Sequence, residues 1–218
     1  MPKSLLDRVI SGELWRAARD YMSVGRRNRR ERIADPAALQ GFLSTRASFI
    51  AQSSLYGYLK TRAGISFPKL FENDAFVVST NIAKWNIWLA CLADLAVWAG
   101  GLVAARTRAP QADIAPMMTT IVGAILDETG IPGEAGPEFP RLADQVRERL
   151  RGCDWASVQD NETPFSESPA ALVRWAPVIE EFMRTDQEIV RNSVRFAWQD
   201  IRRALRRDLD ADAVDGHD

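Results

Sequence analysis

Apolar residues recur every three or four positions along almost the whole chain, and nowhere do they alternate over enough residues to argue a strand. The pattern predicts an all-α fold. Ser4 caps a first helix over 4–22, with Leu5, Leu6, Val9, Ile10, Trp15, Ala18, Tyr21 and Met22 on one face. Asp35-Pro36 supplies an N-cap and a first-turn proline for a second helix over 36–62, which carries Leu39, Leu43, Ile50 and Tyr58 and is closed by Gly64. The stretch "ISFPKLFEND" reads as a turn with at most a short helical piece, after which Asn73 or Asp74 caps a long apolar helix running to about Arg106. A fourth helix rests on Ile114, Met118, Ile121, Val122 and Ile125 and ends at Gly130. "IPGEAGPEFP" then marks a loop over 130–140.

A short helix around Leu142, Val146 and Leu150 stops near Gly152, and "CDWASVQDNETPFSES" reads as irregular. Ser168-Pro169 begins a helix that Pro177 kinks or breaks. The last helix is set by Val190, Val194, Trp198, Ile201, Leu205 and Leu209. "DLDADAVDGHD" carries five aspartates and little apolar bulk, so residues 211–218 are expected to fray as an acidic flexible tail. The expected architecture is one helical domain over 1–210, an orthogonal or up-down bundle of about six helices, with a basic connector at 24–34 and the third helix in its centre.

That third helix poses the main ambiguity. Residues 87–105 contain one charge, Asp94, and are long enough for a bilayer core. Asp94 near the middle costs roughly 2.5–3.5 kcal/mol on insertion scales. Trp88 and Trp98 lie only about 15 Å apart along a helix, too close for two interfacial belts. A helix that is apolar all round, with small residues such as Ala90, Ala93, Ala96 and Ala99, also suits the middle of a bundle, and this is the expectation adopted. A buried Asp94 must then find an arginine, a tyrosine hydroxyl or a backbone amide. Asn81, Lys84, Trp85, Trp88 and Asp94 together form the best candidate for a buried polar pocket.

Composition narrows the chemistry. Hydrophobic residues make up 46% and charged residues 26%, as in ordinary globular domains, and the net charge is −1. The N-terminal stretch shows no secretion signal, and the two cysteines, Cys91 and Cys153, show neither metal-ligand spacing nor a disulfide framework, which points to reduced thiols in the cytoplasm. The one histidine, His217, lies in the tail, so no histidine-dependent triad, zinc site or haem ligation is expected in the core. Phosphate-binding glycine loops and a G-x-S-x-G elbow are missing, and no cofactor or metal is expected. One catalytic spacing occurs: Ser66 and Lys69 match S-x-x-K, in which a lysine one turn on activates a serine.

"GELWRAARDYM" and "LFENDAFVVSTNIAKWNIWLACLADLAVWAGGL" resemble stretches of uncharacterised bacterial proteins of similar length, some of which carry an esterase label. The resemblance implies a small hydrolase without specifying catalytic positions.

Five arginines, Arg26, Arg27, Arg29, Arg30 and Arg32, stand within seven residues. They suit phosphate groups of an anionic lipid surface or an acidic protein partner. DNA is not expected, and RNA is disfavoured because no aromatic stacking motif accompanies the cluster. The leading expectation is a non-enzymatic helical interaction or assembly protein, cytoplasmic or peripheral to the inner membrane face, acting through the arginine cluster and exposed tryptophans and open to oligomerisation. A Ser–Lys hydrolase and a single-span membrane protein are the alternatives.

Overall fold

The computed structural model describes residues 32–107 and 111–215. The predicted helix over 4–22 and Arg26, Arg27, Arg29 and Arg30 lie outside the described residues. Among those described, the fold is all-α: α1 (Pro36–Ala63), α2 (Phe67–Leu70), α3 (Asp74–Arg106), α4 (Gln111–Thr129), α5 (Phe139–Arg151), α6 (Glu167–Trp175), α7 (Glu180–Asp208) and α8 (Ala211–Asp215). The start of α1 follows from Asp35, whose Oδ1 accepts from the Ala38 amide at 2.7 Å, with Pro36 in the first turn. Gly64 ends it with a positive φ of 54°, a conformation that costs other residues a Cβ clash. Asn73 caps α3 in the same way, accepting from the Phe76 amide at 3.2 Å.

α3 is the centre of the bundle. α1 packs along it most extensively, with α4, α5, α6 and α8 covering its other sides. It is long and apolar enough to cross a membrane, and 89% of its most apolar window is buried within the fold. Leu92, Leu95, Ala96, Ala99 and Val103 are wholly enclosed. Gly100 and Gly101 bring the irregular segment 153–166 against α3: a Cβ at Gly100 would strike the Trp155 ring, and one at Gly101 would strike Val158. The helix surface is bare there because the Trp155 and Val158 side chains need the space.

One expectation about the end of the described chain is corrected. The tail does not fray from 211. Residues 211–215 form α8, with Ala211 and Val214 buried, and the strand-like pair Ile33–Leu209 holds its base through Ile33 N–H to Asp208 O at 2.8 Å and Asp210 N–H to Ile33 O at 2.9 Å. Those two small apolar residues gain enough by docking on α1 and α3 to order a stretch otherwise made of aspartates. At the described end of the basic connector, Ile33 is a core residue and Arg32 is ion-paired with Asp210.

Candidate functional site

Asp94 organises the interior. It is fully buried, and its carboxylate accepts four hydrogen bonds: Oδ1 from Arg149 Nη1 at 2.7 Å and the Glu167 amide at 3.2 Å, Oδ2 from the Ser168 amide at 2.7 Å and the Ser168 hydroxyl at 2.6 Å. Ser166, in the N-cap position of α6, makes no capping bond. Asp94 therefore caps α6 from a different helix, placing a negative charge at the positive end of its dipole. Ser168 Oγ in turn accepts from the buried Trp198 Nε1 at 3.0 Å, and Arg149 Nη2 donates to Pro164 O at 2.9 Å. One carboxylate thus joins α3, α5 and α6 directly and α7 through Ser168. Burial pushes the Asp94 carboxyl up, opposed by the charge of Arg149 and the Ser168 hydrogen bonds. Burial likewise raises the neighbouring Cys91 thiol, helped by the Asp94 charge. Cys91 and Cys153 are both free thiols.

The five residues expected to share a pocket divide into two groups. Lys84 Nζ and Trp85 Nε1 both donate to Glu134 Oε1, at 2.6 and 3.0 Å, and Trp88 stacks on Phe139 with ring centroids 6.4 Å apart and planes 9° from parallel. Burial tends to raise Glu134, but the bonds from Lys84 and Trp85 prevail and hold its carboxyl below the usual range. These side chains fasten the loop before α5 to α3. Asn81 is half-buried beside them, whereas Asp94 belongs to the separate α3–α5–α6 junction.

A concave surface lies over that junction. A groove of about 460 Å³ opens between α3, α5 and α6, with Ala90 and Ala93 on one wall, Leu142 and Val146 on another and Ala171 and Trp175 on the third. Its volume falls within the roughly 300–1,000 Å³ typical of ligand sites. Arg149 and Glu167 line it as well as bonding to Asp94, so the buried network sets the groove's shape. Asn86, 2% exposed, is also in the lining. Its Nδ2 donates to Ile82 O at 2.9 Å, while Oδ1 has no partner among the described residues. Exchanging the amide atoms would set oxygen against oxygen, so the carbonyl is the unsatisfied end. An unpaired buried acceptor costs about 1–3 kcal/mol.

Sequence reasoning missed Arg149, Ser168 and Asn86. The signal for Asn86 was available, since an amide among Ile87, Trp88 and Leu89 is a polar intrusion in an apolar run. Arg149 and Ser168 carried no such signal.

Ser66 and Lys69 are both exposed, on the short stretch around α2, and neither makes a side-chain hydrogen bond among the described residues. Ser168, the serine that does hydrogen-bond a carboxylate, is 0% exposed and out of reach of a substrate. The expected exposed tryptophans are not found among the described residues: Trp88, Trp98, Trp155 and Trp198 are buried, Trp85 and Trp175 half-buried. Their ring areas are spent on packing, with Trp98 and Trp198 both against Phe165. Of the arginine cluster, Arg32 alone is described, and its partner is Asp210.

The chain matches no protein-family model, no curated protein and no solved structure. A functional reading therefore rests on this geometry.

Proposed function

We propose that this protein acts by binding, as a non-enzymatic helical interaction protein whose receptor surface is the α3–α5–α6 groove and whose ligand is an apolar segment of a protein partner. The groove itself carries the reading, a concavity of about 460 Å³ with an apolar centre between three helices. The small side chains of Ala90, Ala93 and Ala171 support it by letting a partner helix approach closely, as helix-in-groove recognition requires. Gln145, Glu148, Arg149, Glu167 and Arg174 surround this apolar centre with polar groups. The two free thiols support a cytoplasmic setting.

The test places a photo-crosslinking residue at Ala171 in the full chain, expressed in its native cell. A discrete crosslinked partner is expected, and Ala90→Trp, which fills the groove, should abolish it while leaving the circular dichroism spectrum unchanged. Crosslinking no stronger than from a control site at Arg195 on the outside of α7, or insensitive to Ala90→Trp, would overturn the reading.

A further inference from the structure

A second concavity lies on the far side of the Asp94 junction, where segment 160–162 meets the C-terminal half of α7. It is small, about 240 Å³, and is lined by Glu162, Gln199, Arg202, Arg203 and Arg206. Three guanidinium groups converge on it from one helix, at spacings of one and four residues. Arg206 is held by Asp160, to which its Nε and Nη2 donate at 2.8 and 2.6 Å, and its guanidinium lies 5.6 Å from the Trp98 ring centroid. Those bonds hold Asp160 below the usual carboxylate range. Arg203 is exposed and, among the described residues, bonds Asp200 at 2.8 Å.

Arg202 differs from both. It is 9% exposed, its guanidinium lies over the Phe165 ring at 5.8 Å, and its Nε is buried without a hydrogen-bond partner among the described residues. The nearest carboxylate, Glu162, stands 4.0 Å away on a side chain that is 57% exposed. A buried cation is costly unless it is both paired and hydrogen-bonded, and at 4.0 Å this one is barely paired. Burial and the charge of Arg206 push its guanidinium down from its usual value. The fold therefore holds a desolvated, under-satisfied arginine facing a cavity with more donors around it.

We propose that this cavity is an oxyanion site that takes a phosphate monoester group, with Arg202 as its principal ligand and Gln199 and Arg203 completing the donor set. A carboxylate has two oxygens to offer such a set. A phosphate monoester has three, with up to two charges, and matches converging guanidinium groups better. The volume is below that of sites for drug-sized molecules, which fits recognition of one charged group. Glu162 is the acidic side chain that lines the cavity among the described residues, while Asp160 and Asp200 stand behind it as partners of its arginines. Asp160 and Asp200 are committed to Arg206 and Arg203, so Glu162 is the group an incoming anion displaces.

Titration calorimetry of the full chain with inorganic phosphate tests this. Wild type should bind, Glu162→Gln should bind several-fold more tightly because the competing carboxylate is gone, and Arg202→Met should lose about tenfold or more in affinity. Arg203→Met, at an exposed position, should weaken binding too, whereas Arg184→Met, on the same helix but outside the cavity lining and paired with Glu180, should not. Binding of glycerol phosphate without co-sedimentation on phosphatidate vesicles would make the source a soluble metabolite; co-sedimentation lost in Arg202→Met would make it a lipid headgroup. Either supports the site. No phosphate binding by wild type and Glu162→Gln, or equal binding by all variants, would overturn it.

Discussion

Individual residues in this fold often serve a neighbour distant in sequence, and the glycines show it most directly. Gly100 and Gly101 sit inside the C-terminal part of a long helix, where glycine costs about 1 kcal/mol relative to alanine. That cost is accepted because Trp155 and Val158 occupy the space a side chain would need. Gly123, in α4, has nothing within 4 Å of where its Cβ would stand. The two positions should therefore respond in opposite directions to one substitution. Gly101→Ala is expected to destabilise by about 1–3 kcal/mol through overpacking, and Gly123→Ala to stabilise by about 0.5–1 kcal/mol through helix propensity alone. Chemical denaturation of the two variants checks both signs. Sequence alone gives both glycines the same weak-helix reading, because the difference lies in chain segments more than 50 residues away from Gly100.

Helix boundaries were legible where the capping group is local. Asp35, Asn73 and Gly64 delimit α1 and α3 within a residue or two of their sequence-derived limits, because each acts through backbone groups three or four residues away. α6 is the opposite case. Its nine residues are too few to hold a helix in isolation, and its cap, Asp94, precedes it by more than 70 residues. The requirement that Asp94 find a partner could be read from the sequence; which of 24 arginines would supply it could not, since burial demands a partner but does not specify one. Asp94→Asn should remove the charge facing Arg149 and turn an amide N–H toward donors that need an acceptor. A loss of about 3–5 kcal/mol is expected, as when one partner of a buried pair is removed. Hydrogen exchange should show the amides of Glu167 and Ser168 losing protection first, with α1 exchanging only on global unfolding. Uniform loss of protection across α1 and α6 would mean that Asp94 supports the core as a whole instead of capping α6.

At the scale of the molecule, the question is what surrounds α3. Length and hydropathy cannot decide between lipid and protein, because a core helix and a membrane span have the same composition. In this fold the surroundings of α3 are protein. Asp94 binds Arg149 and Ser168, Trp98 Nε1 donates to Asp160 at 3.0 Å, Gly101 receives Val158, and Arg106 Nη1 donates to Arg206 O at 2.9 Å, so α3 is engaged by α5, α6, α7 and the irregular segment between α5 and α6. Transfer of α3 into a bilayer would strip Arg149 of its carboxylate, uncap α6 and expose the apolar faces of every helix now packed on it. None of these losses is recovered by lipid, which offers no hydrogen-bond partner at that depth. The untagged protein should accordingly leave membranes on washing with high salt, or never sediment with them. If it withstands both high salt and carbonate, residues 87–105 face lipid, and the packing of α1, α4, α5 and α6 around them does not persist in the cell.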